Sequence, residues 1–188
     1  ALVVEGNLKK GDWVLVQGTG GVSIFALQFA KMLGASVIVT SSSDEKLERA
    51  RKLGADALIN YTANPEWAKA ALAATGGKGV DIVVEVGGAG TLNQSLDCAR
   101  VGGSVVLIGL LSGVKQNVLV NVIFGKNLRV IGISVGSRRH FEDMNRAIAE
   151  HGMKPVIDTV LPVSRVRDAL KAMQAAGHFG KICVEFGK

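Results

Sequence analysis

The sequence predicts an α/β protein: a doubly wound sheet of six parallel strands with a short C-terminal strand–helix–strand extension. Three observations carry this. Short runs of β-branched and aliphatic residues, without polar alternation, recur along the 188 residues, as in strands buried on both faces. Stretches of helical period lie between them. The changes of period fall mostly on glycines, of which there are 24, above the usual share of about 7%.

In chain order, residues 1–12 read as the tail of a helix and a polar turn; a domain seldom starts on a helix's last turn, so the polypeptide is expected to extend upstream. Trp13 to Val16 make the first strand, Gly18 to Ser23 the turn and Ile24 to Leu33 the first helix, with Gly34 as its left-handed cap. Ser36 to Thr40 follow as the second strand, then a helix from Asp44 to Leu53, opened by a capping box of Ser42 with Glu45 and stopped by Gly54. Ala57 to Asn60 complete two β-α-β units, which favour right-handed crossovers and a parallel sheet. Asn64 as N-cap and Pro65 at the first position open a helix to Thr75. Val80 to Val86 form the fourth strand, Thr91 to Arg100 a helix, and Ser104 to Ile108 the fifth strand. After a loop through Asn121, Leu128 to Val135 supply the sixth strand, and Glu142 to His151 a helix with Met144, Ala147 and Ile148 facing inward. Beyond Pro155 come a strand (Val156 to Leu161), a helix capped by Ser164 and a last strand (Ile182 to Phe186). Residues 1–154 are thus expected to form one domain and 155–188 an appendage.

The chemistry lies in Gly18-Thr19-Gly20-Gly21-Val22-Ser23. Gly18 permits a tight exit from the strand, and Gly20 lets backbone approach a pyrophosphate with no Cβ in the way. The helix N-terminus then turns free N–H groups and a positive dipole end toward that anion. This is the dinucleotide fingerprint of the Rossmann fold with one departure: its third small position, usually Gly or Ala, is Ser23. NAD-preferring proteins of this fold carry an acid at the end of the second strand that binds the ribose 2′-hydroxyl. Here Thr40, Ser41, Ser42 and Ser43 stand in that place, and Lys46 on the next helix supplies positive charge, so the sequence favours NADP over NAD. Asp44 and Glu45 oppose this mildly, and the serines also serve as helix caps.

Other chemistries find little support. Cys98 and Cys183 sit in apolar contexts without metal spacing, and His140, His151 and His178 are dispersed, so no metal site and no nucleophile–base pair emerges. The net charge of +6 is scattered, which argues against nucleic acid and suits a polyanionic cofactor. No apolar run approaches the roughly 18 residues of a membrane span, and the chain reads as cytoplasmic.

With these residues placed, the chain resembles the cofactor-binding half of a medium-chain dehydrogenase/reductase, the superfamily of zinc-type alcohol dehydrogenases and quinone reductases. The resemblance rests on Gly18 to Val22, Leu53-Gly54-Ala55-Asp56 before Ile59-Asn60-Tyr61, Gly79-Val80-Asp81, Gly102-Gly103 before Val105 to Gly109, and His178-Phe179-Gly180-Lys181. It implies an oxidoreductase moving hydride between a nicotinamide cofactor and a carbonyl, alcohol or activated alkene; a non-catalytic dinucleotide-binding module is the alternative. It gives Lys46 and Tyr61 the 2′-phosphate, and places Val86, Gly87, Gly109 and Leu110 beside the nicotinamide. It also implies that zinc and most substrate contacts belong to a preceding GroES-like domain, against which residues 155–188 would pack, and that the sixth strand can pair in a homodimer.

Overall fold

The computed structural model describes residues 1–187. Its elements run β1 (Trp13–Gln17), α1 (Gly21–Met32), β2 (Ser36–Ser41), α2 (Asp44–Lys52), β3 (Ala57–Asn60), α3 (Trp67–Ala74), β4 (Val80–Glu85), α4 (Leu92–Cys98), β5 (Ala99–Leu107), α5 (Val120–Gly125), β6 (Arg129–Gly132), α6 (Arg138–Glu150), β7 (Ile157–Pro162), α7 (Val166–Gln174) and β8 (Lys181–Glu185). The first six strands form one parallel sheet, as the sequence predicts, and their order is β3-β2-β1-β4-β5-β6.

Side-chain alternation divides the core between the two faces of this sheet. Val14, Val16, Val37, Val39, Ile82 and Val84 pack with Ile24, Leu27 and Ala30 of α1 and Leu47 and Ala50 of α2. Leu15, Ile38, Val83 and Val105 point the other way, onto Trp67, Ala68 and Ala71 of α3 and Leu96 and Cys98 of α4. Register is uniform at the centre, Val14 lying opposite both Val37 of β2 and Ile82 of β4. At the strand starts, Asp81 accepts from the N–H of Trp13 at 2.7 Å and pairs with Arg100, tying β1, β4 and β5 together.

Several boundaries differ from the sequence reading. Residues 2–6 form turns rather than a helix tail. The N-cap of α2 is Ser43, not Ser42: the Ser43 hydroxyl accepts from the N–H of Lys46 at 3.3 Å. Helix α3 starts at Trp67 rather than after Asn64-Pro65, because Gln94 of α4 accepts from the N–H of Ala68 at 3.0 Å and caps it from outside. Helix α4 ends at Cys98 and β5 begins at once, while part of the expected loop forms α5. β6 is shorter than expected. Helix α6 starts earlier, at a capping box of Ser137 with His140; Met144, Ala147 and Ile148 are its half-buried residues. Ser164 lies in a short 3-10 turn and does not cap α7.

β7 and β8 pair with each other in a separate parallel ribbon. A bridge between Gly20 and Gly180 joins this ribbon to the main sheet's glycine turn. Phe179, 1% exposed, enters the core beside α1 and α2.

Candidate functional site

The strand order reverses between β1 and β4, and a ligand cleft is expected over the carboxyl ends of those strands. A cleft of 880 Å³ lies there. Gly18, at φ +71°, makes the left-handed exit from β1 that a Cβ would strain. Gly20 is extended and forms the N-cap of α1 without any side-chain cap, so the first N–H groups of the helix have no side-chain acceptor. A Cβ built on Gly20 meets nothing within 4 Å. Backbone N–H groups beside open space suit a pyrophosphate. Ser23 keeps the close packing usually given by Gly or Ala, because its hydroxyl donates to the carbonyl of Gln17 at 2.5 Å and binds helix to strand.

The opposite wall is set by a buried polar cluster. Glu85, fully buried at the end of β4, accepts from the N–H groups of Gly87 (2.8 Å) and Gly88 (2.9 Å), from the hydroxyls of Thr91 (2.6 Å) and Ser95, and from the amide of Gln17 (2.7 Å). The carbonyl of the Gln17 side chain accepts in turn from the N–H groups of Val86 and Gly87. One carboxylate and one amide therefore fix the course of the loop after β4. Ser112 completes it, donating to the carbonyl of Gly87 at 2.8 Å and accepting from the N–H of Gly90.

Of the residues singled out in the sequence, Gly18, Thr19, Gly20, Gly21, Val22, Ser41, Ser42, Lys46, Tyr61, Val86 and Gly87 all line this one cleft. Ser41 is buried, and its hydroxyl accepts from the N–H of Ser43; Ser42 and Tyr61 are exposed at the rim. The ammonium of Lys46 donates to the carbonyl of Ala176 at 2.9 Å, in the turn before β8. Gly109 and Leu110 do not reach the cleft. Gly109 packs on the backbone of Val86, where a Cβ would stand 2.5 Å from the carbonyl oxygen, and it is Leu111 that lines the cavity.

The sequence reading missed Gln17, Thr91, Ser112 and His178 in this lining. A polar Gln17 closing an apolar strand just before the glycine turn was the available signal. His178 was singled out only as part of His178-Phe179-Gly180-Lys181, and no role in the cleft followed from that; it reaches the cleft from the C-terminal segment. Neighbouring charges there are paired: Arg49 meets Asp158 at 2.7 Å and lies 4.2 Å over the ring of Phe179. The Arg49 hydrogen bond holds the Asp158 carboxyl below its usual range. Cys98 is not part of the cleft lining, and burial pushes its thiol up to about 12. Among the described residues, no three His, Cys, Asp or Glu side chains gather as metal ligands, so zinc does not fit this part of the chain.

Comparison with known proteins agrees with the geometry. The family described as zinc-binding dehydrogenase matches residues 21–150. A zinc-type alcohol dehydrogenase-like protein of Schizosaccharomyces pombe is 44% identical over 96% of the chain and 54% of its own length. The crystal structure of an NAD-dependent alcohol dehydrogenase superposes with a TM-score of 0.92 at 34% identity, over 99% of this chain and 54% of that one. A mycobacterial protein complexed with NADPH gives 0.82 at 27% identity, over 97% and 60%. The chain spans about half the length of these curated and solved relatives.

Proposed function

The chain belongs to the zinc-binding dehydrogenase family of the medium-chain dehydrogenase/reductase superfamily, and from that premise we propose that it is the NADP(H)-binding part of an oxidoreductase acting on a carbonyl, alcohol or activated alkene. The observation that carries this reading is the uncapped start of α1, opening at Gly20 into a cleft with room for a pyrophosphate. When bound, the nicotinamide supplies the hydride chemistry. The chain's own residues bind and orient it. Gly18, Thr19, Gly20, Gly21 and Val22 hold the pyrophosphate. Ser41, Ser42, Lys46 and Tyr61 take the 2′-phosphate, with no acid among them to repel it. Gln17 and Glu85 hold Val86 and Gly87 against the nicotinamide end, and Gly109 and Leu110 extend that wall from behind.

The reading extends to the rest of the protein. Residues 1–154 act as the nucleotide-binding domain, and the appendage from 155 faces a catalytic domain that supplies substrate contacts and, where used, zinc. Two free thiols suit a cytoplasmic setting, and no helix among the described residues is long and apolar enough to cross a membrane. β6 is a sheet edge that the C-terminal ribbon leaves uncovered, with Val130 exposed, which favours a homodimer pairing there.

The test is turnover by the full-length protein of a panel of enals and quinones with NADPH, and of a panel of alcohols with NADP+, followed by nicotinamide absorbance. Consumption of any of them supports the oxidoreductase. Tight NADPH binding with no turnover on the whole panel would instead make it a binding module.

A further inference from the structure

The C-terminal segment reaches the cleft through Met173 of α7 and through one turn, Ala176 to Gly180, and this turn is fastened at both ends. Ala176, left-handed at φ +53°, directs its carbonyl oxygen at the Lys46 ammonium, 2.9 Å away. The N–H of Gly180 donates to the carbonyl of Thr19 at 2.9 Å, beside the bridge from Gly180 to Gly20. Between them Phe179 is locked in the core under the Arg49 guanidinium. His178 is thereby held in a fixed frame, lining the cleft between the position of Lys46 and the glycine turn.

Its Nδ1 is withdrawn from solvent and has no hydrogen-bond partner. A buried polar atom normally finds one, and an N–H at Nδ1 would have no acceptor, so in the neutral ring the proton falls to Nε2, the nitrogen left to meet a ligand on the cleft wall. The carboxylate of Asp158 already pairs with Arg49, and Lys46 brings a positive group to the same wall. A phosphate oxygen has the charge and acceptor capacity that this corner lacks.

We propose that His178 is a phosphate-binding residue of the cleft, donating an imidazole N–H to a phosphate of the dinucleotide; this rests on the cofactor reading above. Two phosphate groups of one ligand come within its setting: the 2′-phosphate, beside Lys46, and the pyrophosphate, beside Thr19 and Gly20. The contact would make the C-terminal appendage part of the cofactor site.

The test is calorimetric titration of the 188-residue chain and of its His178→Ala and His178→Gln variants with NADPH and with NADH. Both variants are expected to bind about tenfold more weakly, the effect of losing a charge-assisted hydrogen bond. A loss confined to NADPH assigns the contact to the 2′-phosphate, and an equal loss for both cofactors assigns it to the pyrophosphate. Affinities within about twofold of the parent chain, at unchanged Tm, would overturn the proposal while leaving the cofactor reading intact. If the parent chain binds neither cofactor, the proposal falls together with that reading. Should the variants lose stability, the imidazole NMR resonances of His178 in the parent chain decide: they shift on NADPH addition if the contact exists, and unmoved resonances refute it.

Discussion

The ammonium of Lys46 stands 2.9 Å from the carbonyl oxygen of Ala176, and this one hydrogen bond links the helix after β2 to the turn before β8. An ammonium carries three N–H donors, so two remain for a ligand in the cleft, and the head group is held in place before any ligand arrives. Lys46→Ala is accordingly expected to weaken NADPH by about 1–3 kcal/mol and to leave NADH almost unchanged, as parallel calorimetry would show. Equal losses for both would remove Lys46 from the 2′-phosphate site.

Gly20 and Gly109 separate a glycine kept for a ligand from one kept for packing. Gly20→Val should abolish dinucleotide binding while circular dichroism and Tm stay near those of the parent, because its Cβ meets no protein atom within 4 Å. Gly109→Ala should instead destabilise the fold. Its Cβ would press on the Val86 carbonyl at 2.5 Å, and overpacking of that kind costs about 1–3 kcal/mol, read from denaturant unfolding.

Glu85→Gln should destabilise the fold by about 1–3 kcal/mol, since the new amide would turn an NH₂ toward groups that only donate or already donate, among them the N–H groups of Gly87 and Gly88. Cofactor affinity should fall too, because the loop after β4 loses its anchor. A variant as stable as the parent would show that the cluster is not held by the carboxylate.

The two thiols should differ in reactivity. Cys98 is fully buried with its thiol pushed up to about 12, whereas Cys183 on β8 is partly accessible. At mildly alkaline pH, iodoacetamide should modify Cys183 in the native chain and spare Cys98 until denaturant is added, as peptide mass mapping would show. Prompt labelling of Cys98 would contradict its burial at the end of α4.

Much of this architecture was legible in the sequence because its signals are local. The turn at Gly18 and Gly20 and the apolar runs of β1, β2 and β4 depend on neighbours in the chain, and they predict the sheet and its glycine turn correctly. What was misread depends on distant partners. The start of α3 is fixed by Gln94, and no pattern at Asn64-Pro65 reports that. Three consecutive serines offer three equivalent caps for α2, and only the path of the backbone selects Ser43. Helix α5 is six residues of mainly β-branched and aromatic character, a composition that reads as strand or loop. The place of His178 follows from the contact between Gly180 and Thr19, which ties together opposite ends of the chain.

The most direct test of the central claim is a titration of this chain with NADPH and NADH in parallel. The account predicts saturable binding of both, tighter for NADPH. Binding of neither, or tighter binding of NADH, would contradict it.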